Sequence, residues 1–346
     1  MLMGKETGGF KGGFDLLDTY PLKFCNIVEE ISSDGTPEIY HFPVPTQKVE
    51  HVIVSLCPTE PWALPNWVIL KHKTAAFLTV LKEIKNSYFP DARFYIAINE
   101  KETRTVADAK NFACNEDWMS VFPIYPKYPH DDPIVLTKVI LNLDADFGQD
   151  MESLGVLILD AQTVSALYES LILKKNVNSR FIVLSGTGLK ENEILNVQLG
   201  TTIEKVLRNK VKELVRHRVF INGPLRGQEI TDLSQKTDWS INHLVVLEEK
   251  DRKVILPMFK SDELLLTTNV LGELRRCVSC NFCDDICPVY LEPALYYHSY
   301  TRGEKHKARL YNLEKCIECG LCSFICPSKL ELLEIIKECK ALDNQK

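Results

Sequence analysis

Cys277-Val-Ser-Cys280-Asn-Phe-Cys283-Asp-Asp-Ile-Cys287-Pro288 and Cys316-Ile-Glu-Cys319-Gly-Leu-Cys322-Ser-Phe-Ile-Cys326-Pro327 are two copies of one pattern near the end of the chain. Each copy has three cysteines separated by two residues, a fourth after three more residues, and then a proline. Eight of the 12 cysteines of the chain fall in these copies. The repeated spacing indicates one chemical task carried out twice.

This pattern is the cysteine run that holds 4Fe-4S clusters in two-cluster bacterial ferredoxins, where the fourth cysteine ligates the other cluster. A cube needs four thiolates, and a tight loop with three cysteines can reach only three of its corners. The proline stops the chain from continuing as a regular helix through the fourth cysteine. We therefore assign one cluster to Cys277, Cys280, Cys283 and Cys326, and the other to Cys316, Cys319, Cys322 and Cys287.

Zinc and disulfides are the alternatives for these eight cysteines. Structural zinc sites use paired Cys-x2-Cys units, without a third cysteine two residues later and a closing Cys-Pro. Disulfides need an oxidising compartment, and we see no secretory signal peptide. The pattern therefore favours two 4Fe-4S clusters over both alternatives.

The residues around the two repeats predict helices. The stretch between the repeats reads as helical, and an apolar-periodic segment after Pro327 predicts an amphipathic helix. We therefore predict a C-terminal helical two-cluster ferredoxin domain over 266–346.

The overall composition limits the classes of function. At 346 residues, with 45% hydrophobic and 25% charged residues, the chain has room for two or three globular domains. A formal net charge of −6 argues against nucleic acid as a partner. No run approaches the roughly 20 apolar residues of a transmembrane helix. We expect no transmembrane segment of its own and a cytoplasmic location, with any membrane reached by docking on other subunits.

The chain before the cysteines predicts two further domains after an irregular N-terminal segment, 1–48. Alternating strands and helices indicate an α/β domain over 49–185. Shorter elements around one helix indicate a small β-grasp domain over 186–265. The predicted strands are Val52–Leu56, Arg93–Asn99, Leu154–Leu159, Arg180–Leu184, Arg218–Ile221 and His243–Leu247; the predicted helices are Lys73–Lys85, Thr163–Lys174 and Ile203–Val215.

Two smaller features carry candidate chemistry. The glycine-rich stretch Gly8–Phe14 contains Gly9, Gly12 and Gly13 beside a lysine, and bare backbone N–H groups of this kind can hold a phosphate; a flexible terminus is the alternative. The four remaining cysteines are isolated, and we expect them to be buried structural thiols: Cys25, Cys57, Cys114 and Cys339.

The order of these parts resembles the C subunit of the Rnf electron-transport complex (RnfC). That family is related to the A subunit of the sodium-pumping NADH:quinone reductase, to a corrinoid reductase and, more distantly, to the flavin subunit of respiratory complex I. The resemblance covers nearly the whole chain from Val49 onward. It rests on Thr59-Glu60-Pro61-Trp62, Tyr128-Pro129-His130, Gly223-Pro224-Leu225-Arg226-Gly227 and, above all, the segment from Asn312 to Gly320.

The resemblance implies a flavin-subunit-like α/β domain, an SLBB-like β-grasp domain and two 4Fe-4S clusters. The flavin chemistry is in doubt, because the family's glycine-rich flavin loop is missing and Asp160 stands where an asparagine contacts the flavin. Should FMN bind, the candidate residues are Gly9, Gly12, Gly13 and Glu60. The alternatives without flavin contact are a solvent-exposed loop carboxylate for Glu60 and a helix N-cap for Asp160.

Two functions follow from the resemblance. The first is an iron–sulfur subunit that relays single electrons within an Rnf- or NADH:quinone-reductase-like complex at the cytoplasmic face of the inner membrane. Its partners would be the other subunits and a ferredoxin or flavoprotein. The alternative is an FMN-containing NADH dehydrogenase or corrinoid reductase that feeds the same clusters. The missing glycine-rich loop favours the first, with no catalytic residue in this chain.

Overall fold

The computed structural model describes residues 28–42, 45–62, 74–213, 216–248 and 275–341. Its elements form two β-sheets and a helical C-terminal part. The fold is thus a mixed α/β arrangement with parallel strand pairing, followed by a helical cysteine-rich part. Within the described ranges, no helix is both long enough and apolar enough to span a lipid bilayer.

The first sheet is parallel and has four strands. A short strand, β1 (Val28–Ile31), precedes it in the chain but belongs to the second sheet. The four strands lie in the order β4-β3-β2-β5. Their bounds are β2 (His51–Leu56), β3 (Arg93–Asn99), β4 (Met119–Ile124) and β5 (Val156–Asp160).

Helices cover both faces of this sheet, which explains why β2 reads as an almost continuous apolar run. The helices are α1 (Thr74–Ser87), α2 (Thr103–Ala113), α3 (Pro133–Leu141) and α4 (Ala161–Leu167). Leu81 of α1 packs with Val52 and Val54 on one face, and Leu136 of α3 packs with Ile53 on the other. A 3-10 segment (Met151–Leu154) precedes β5, and a π-helical turn (Tyr168–Ile172) extends α4.

The second sheet has six strands in the order β1-β7-β6-β10-β8-β9. After β1 its strands are β6 (Ser179–Ser185), β7 (Glu193–Gln198), β8 (His217–Ile221), β9 (Gln228–Ile230) and β10 (His243–Glu248), with α5 (Ile203–Leu207) between β7 and β8. β6 and β7 are antiparallel, whereas β10 returns between β6 and β8 and runs parallel to β6. Ile203 and Val206 of α5 are buried in the same core as Leu184, Leu195 and Leu244.

Two strands of the second sheet lie outside the range expected for it. β1 falls in the segment predicted to be irregular and pairs in parallel with β7. The strand predicted at Arg180–Leu184 forms as β6, but it joins the second sheet rather than the first. Pairing partners explain both differences, because local sequence does not specify which sheet a strand joins. The domain boundaries themselves stay predictions.

Residues 275–341 contain helices, turns and loops. The helices are α6 (Phe282–Asp285), α7 (Pro293–Thr301), α8 (Leu321–Ile325) and α9 (Leu332–Ala341), with 3-10 segments at Lys305–Tyr311 and Leu313–Lys315. The helix predicted between the repeats therefore breaks after Thr301. The predicted amphipathic helix is α9, whose buried face carries Leu332, Leu333, Ile336 and Cys339.

Candidate iron–sulfur centre

The first cysteine-lined cavity draws on both repeats. Cys277, Cys280 and Cys283 line it from the first repeat, and Cys326 lines it from the second. The rest of the wall includes Val278, Ala294, Leu330 and Leu332. Four thiols in a mostly apolar wall are the donor set that a 4Fe-4S cluster needs.

The second cavity mirrors the first. Cys316, Cys319 and Cys322 line it from the second repeat, and Cys287 lines it from the first. Its apolar wall includes Val289, Leu291, Ile317 and Leu321. The structure therefore brings the cysteines together in the two sets assigned from the sequence. Ligation itself stays a prediction, because it depends on a bound cluster.

The backbone repeats together with the cysteines. Ser279 and Asn281 in the first loop have φ of 52° and 60°, and their counterparts Glu318 and Gly320 have φ of 53° and 78°. These left-handed residues coil each loop so that three cysteines face one point, a conformation that costs glycine least. Tyr290 and Lys329, each two residues after the Cys-Pro, form a third matched pair with φ of 55° and 56°.

Burial differs between the two sites. Cys280 is exposed and Cys277 half-buried, whereas Cys319 and Cys322 are buried and Cys316 is half-buried. Burial raises the pKa of the Cys316 thiol to about 11 and that of Cys283 to about 12. Without bound iron these thiols stay neutral at pH 7, and bound metal ions supply the charge that favours the thiolate.

Some sulfur atoms accept backbone hydrogen bonds. The Ser279 N–H donates to Cys277 Sγ at 3.4 Å, and the Leu291 N–H donates to Cys287 Sγ at 3.3 Å. Such bonds are one means by which a protein sets a cluster's reduction potential. Within the described part of the chain, no three His, Cys, Asp or Glu side chains form a site for a single metal ion. A cube differs from such a site because each thiolate binds its own iron.

The second site is attached directly to the α/β part of the chain. The buried hydroxyl of Tyr128 donates to the carbonyl oxygen of Cys319 at 2.5 Å. Tyr128 also packs in a cluster that contains Leu225, Ile317 and Leu321. The loop after β4, the loop after β8 and the second cysteine loop therefore meet at this point.

A buried ionic group lies beside this junction. Glu60 Oε1 accepts hydrogen bonds from the backbone N–H groups of Leu225 at 2.7 Å and Arg226 at 3.2 Å. The Arg226 guanidinium also donates to Asp131 Oδ1 at 2.7 Å and to Asp132 Oδ2 at 3.2 Å. One arginine thus faces three carboxylates, and it also lies over the Tyr128 ring.

Glu60 is 4% exposed, and its Oε2 atom lies 3.5 Å from Nε of Arg226 without a hydrogen bond. Burial raises the pKa of Glu60 to about 7, although Arg226 and the two backbone donors act in the opposite direction. The carboxylate expected on an exposed loop is therefore buried. It contacts the loop after β8 rather than an open cavity.

The other residues singled out from the sequence have mixed outcomes. Asp160 accepts a hydrogen bond from Thr163 N at 2.7 Å and is the N-cap of α4, which is the structural role predicted for it as an alternative to flavin contact. Cys57 and Cys339 are buried, but the expectation for Cys114 was wrong, since it lies exposed at the end of α2. Gly9, Gly12, Gly13 and Cys25 lie outside the described residues.

The roles of Tyr128 and Arg226 were not predicted from the sequence. Both stand in strings that carried the family resemblance, but their partners lie far away in the chain. Tyr128 and Cys319 are 191 residues apart, and Glu60 and Leu225 are 165 apart. A separate polar groove between β8, β9 and α9 has Asn222, Gln228 and Lys337 in its wall, and none of the eight cysteines lines it.

Comparison with known proteins agrees with this arrangement. Residues 273–330 match the family model described as a 4Fe-4S dicluster domain, so this part of the chain is an iron–sulfur domain. The C subunit of the ion-translocating oxidoreductase complex of Haemophilus influenzae (strain PittEE) is 27% identical over 297 residues, which are 85% of this chain and 43% of that protein. The protein of that name from Buchnera aphidicola subsp. Acyrthosiphon pisum is 25% identical over 74% of this chain and 50% of its own length.

The predicted resemblance to the C subunit of the Rnf complex is thereby confirmed. This chain spans half or less of the length of these two curated relatives. Among solved structures, an NAD+-reducing [NiFe]-hydrogenase in the H2-reduced state matches with a TM-score of 0.52 and 10% identity. The match covers 84% of this chain and 54% of that chain, and at this identity it shows a shared fold only.

Proposed function

We propose that this chain is an iron–sulfur electron-transfer subunit of an Rnf-like, membrane-associated oxidoreductase complex. The observation that carries the proposal is the pair of cavities, each lined by three cysteines of one repeat and the fourth of the other. We place the protein at the cytoplasmic face of the inner membrane, docked on other subunits. A ferredoxin or flavoprotein would be its electron donor or acceptor.

The cysteines and their supporting contacts have distinct tasks in this function. When bound, two 4Fe-4S clusters would supply one-electron chemistry, one cluster for each cavity. The crossed cysteines, Cys287 and Cys326, tie the two sites together, since each belongs to the loop of one site and the wall of the other. Tyr128 holds the second loop against the α/β part by its bond to Cys319. No bond chemistry falls to this chain.

Two finer statements about the fold belong to the same proposal. The second sheet supports an SLBB-like β-grasp domain. Its strand order is β7-β6-β10-β8, β6 and β7 are antiparallel, one helix follows β7, and β10 runs parallel to β6. The parallel sheet β4-β3-β2-β5 supports a flavin-subunit-like α/β domain. In that topology, the carboxyl ends of β5 and β2 lie side by side, and ligands of open α/β folds bind at the carboxyl ends of the strands.

The alternative is an FMN-containing NADH dehydrogenase or corrinoid reductase. The carboxyl-end edge of the sheet is the observation that favours it. Glu60 argues against it. This residue follows β2, but its Oε1 atom already accepts hydrogen bonds from the Leu225 and Arg226 amides. Asp160, at the end of β5, caps α4 and presents no amide donor to a flavin.

A redox titration separates the two functions. Protein purified without oxygen is extracted for flavin and then titrated with dithionite and, separately, with NADH. The relay function predicts uptake of about two electrons per chain from dithionite, no FMN and no reduction by NADH. Stoichiometric FMN with rapid reduction by NADH would instead make the chain a dehydrogenase.

A pair of cysteine variants tests the site assignment. Cys319→Ala should lower the iron content from about eight to about four atoms per chain, because one cluster loses a ligand. Cys339→Ala is the matched control, since Cys339 is also buried in this domain but lines neither cavity. Equal iron in the Cys319 variant and the control would contradict the assignment.

A further inference from the structure

The surface around the first cavity differs from that around the second. Cys280 is exposed at the first site, and two large apolar side chains stand out beside it, Val278 at 66% and Phe282 at 51% exposure. Cys319 of the second site is instead buried under the Tyr128 and Leu225 contacts. The first site is therefore the more open of the two.

Three cations lie next to these apolar side chains. The Arg275 N–H donates to the Ser328 carbonyl at 3.0 Å, and the Ser328 hydroxyl donates to the Arg276 carbonyl at 2.9 Å. These bonds bring Arg275 and Arg276 beside exposed Lys329. We call the exposed side chains Arg275, Arg276, Val278, Phe282 and Lys329 the basic–apolar patch.

The charge of this patch is opposite to that of the chain, which carries a formal net charge of −6. Two acids, Asp284 and Asp285, follow Phe282 on α6. Asp284 is half-buried and accepts a hydrogen bond from Cys283 Sγ at 3.3 Å, while Asp285 is exposed. Among the described residues, the patch therefore presents three cations and two apolar side chains, and the exposed acids nearest to it in sequence are Asp285 and Glu331.

We propose that the basic–apolar patch docks a one-electron carrier protein whose own redox centre lies under an acidic surface. The proposal rests on the proposed function, because electron exchange requires the partner's centre to come close to the first site. Opposite charge steers such encounters and raises the association rate. Val278 and Phe282 give the small apolar contact that suits a weak, short-lived electron-transfer complex.

The test uses the full chain loaded with iron and sulfide, and an acidic [2Fe-2S] ferredoxin as the probe. Stopped-flow spectroscopy follows electron exchange, and calorimetry follows binding of the oxidised ferredoxin. Affinity and rate should both fall as NaCl rises, because salt screens the attraction. The triple variant Arg275→Glu/Arg276→Glu/Lys329→Glu should lower both about tenfold or more at low salt.

The control reverses three cations on the 3-10 segment Lys305–Tyr311, none of which lines the first cavity: Lys305→Glu, Lys307→Glu and Arg309→Glu. Two of these cations form ion pairs, Lys305 with Glu338 and Lys307 with Glu304, so the control is used once its iron content matches that of the wild type. It changes the net charge equally and should retain most of the affinity. Equal losses in the two triple variants, or a rate of the unmodified chain that does not fall with salt, would overturn the proposal. The salt series needs no variant and decides the matter if a triple variant fails to fold.

Iron content and chemical reduction separate this proposal from the proposed function. A chain with about eight irons that dithionite reduces, but with equal losses in both triple variants, retains the relay function and loses the docking surface. A chain without iron–sulfur clusters loses the relay function and the docking proposal together.

Discussion

Gly223→Ala should break the contact between Glu60 and the loop after β8. A methyl group on Gly223 would lie 2.2 Å from Cγ and 2.6 Å from Oε1 of Glu60, so the carboxylate must move. The displaced carboxylate loses its bonds to the Leu225 and Arg226 amides, at about 1.5 kcal/mol each. The φ of +108° at Gly223 adds about 1 kcal/mol for alanine, which gives a total near 4 kcal/mol.

Gly303→Ala is the control for the backbone term alone. Gly303 has φ of +74° and no atom within 4 Å of an added methyl group, so its substitution should cost about 1 kcal/mol. Hydrogen exchange reports local opening and suits a chain with several parts. The Leu225 and Arg226 amides should lose protection by about 1,000-fold in Gly223→Ala, which is the equivalent of about 4 kcal/mol, and stay within about tenfold of wild type in Gly303→Ala. Unchanged protection in the Gly223 variant would refute this role of Glu60.

Three further perturbations test hydrogen-bonding side chains of the α/β part of the chain. Tyr128→Phe leaves the buried Cys319 carbonyl without its donor, so it should cost about 1–3 kcal/mol and speed iron loss to a chelator. Iron loss at the wild-type rate would argue against this role of Tyr128. Glu60 has a folded-state pKa near 7, above its unfolded value, so its favourable contribution is complete below about pH 4.5 and is lost as the pH rises to 7. The free energy of unfolding of the Glu60→Gln variant, measured by denaturant titration, should therefore rise relative to that of the wild type by up to about 3 kcal/mol between pH 5 and pH 8. Parallel curves of this free energy against pH would contradict the raised pKa. Asp160→Ala should lower the free energy of unfolding by about 1 kcal/mol, because α4 loses its N-cap. Asp160→Asn should lower it by only about a few tenths of a kcal/mol, because asparagine also caps helices. Equal shifts in melting temperature for the two variants would exclude the capping role.

The sequence predicted the cysteine sites best because their information is local. Spacing alone fixed which three cysteines share a loop, and the repeat supplied the fourth. The strands β2 and β3 were also predicted, since short apolar runs of their length are typical of buried strands. Leu332, Leu333 and Ile336 recur at helical spacing, and the amphipathic helix α9 formed where they lie.

Elements with weak local signals were missed. β4 contains Pro123, which argues against a strand in the middle of a sheet, but β4 lies at the edge, where proline is tolerated. α2 has no fully buried residue, and the face that packs against the first sheet carries only Val106, Phe112 and two small residues, Ala109 and Ala113. β1 is four residues long and gains its identity only from β7, far away in the chain.

The junction at the second site could not be predicted for a similar reason. Glu60, Tyr128 and Arg226 come from three loops, and each has a chemically ordinary surface alternative. Only the packing of the two sheets against the cysteine loops brings these side chains together. Glu60, a flavin-site candidate only in the case that FMN binds, forms a buried contact with the loop after β8.

The central claim is that the two repeats build two 4Fe-4S sites in one chain. The measurement that tests it most directly is a count of iron, acid-labile sulfide and zinc in the protein purified without oxygen. We expect about eight irons and about eight sulfides per chain, with little zinc. Bound zinc with no sulfide, or cysteines recovered as disulfides, would contradict it.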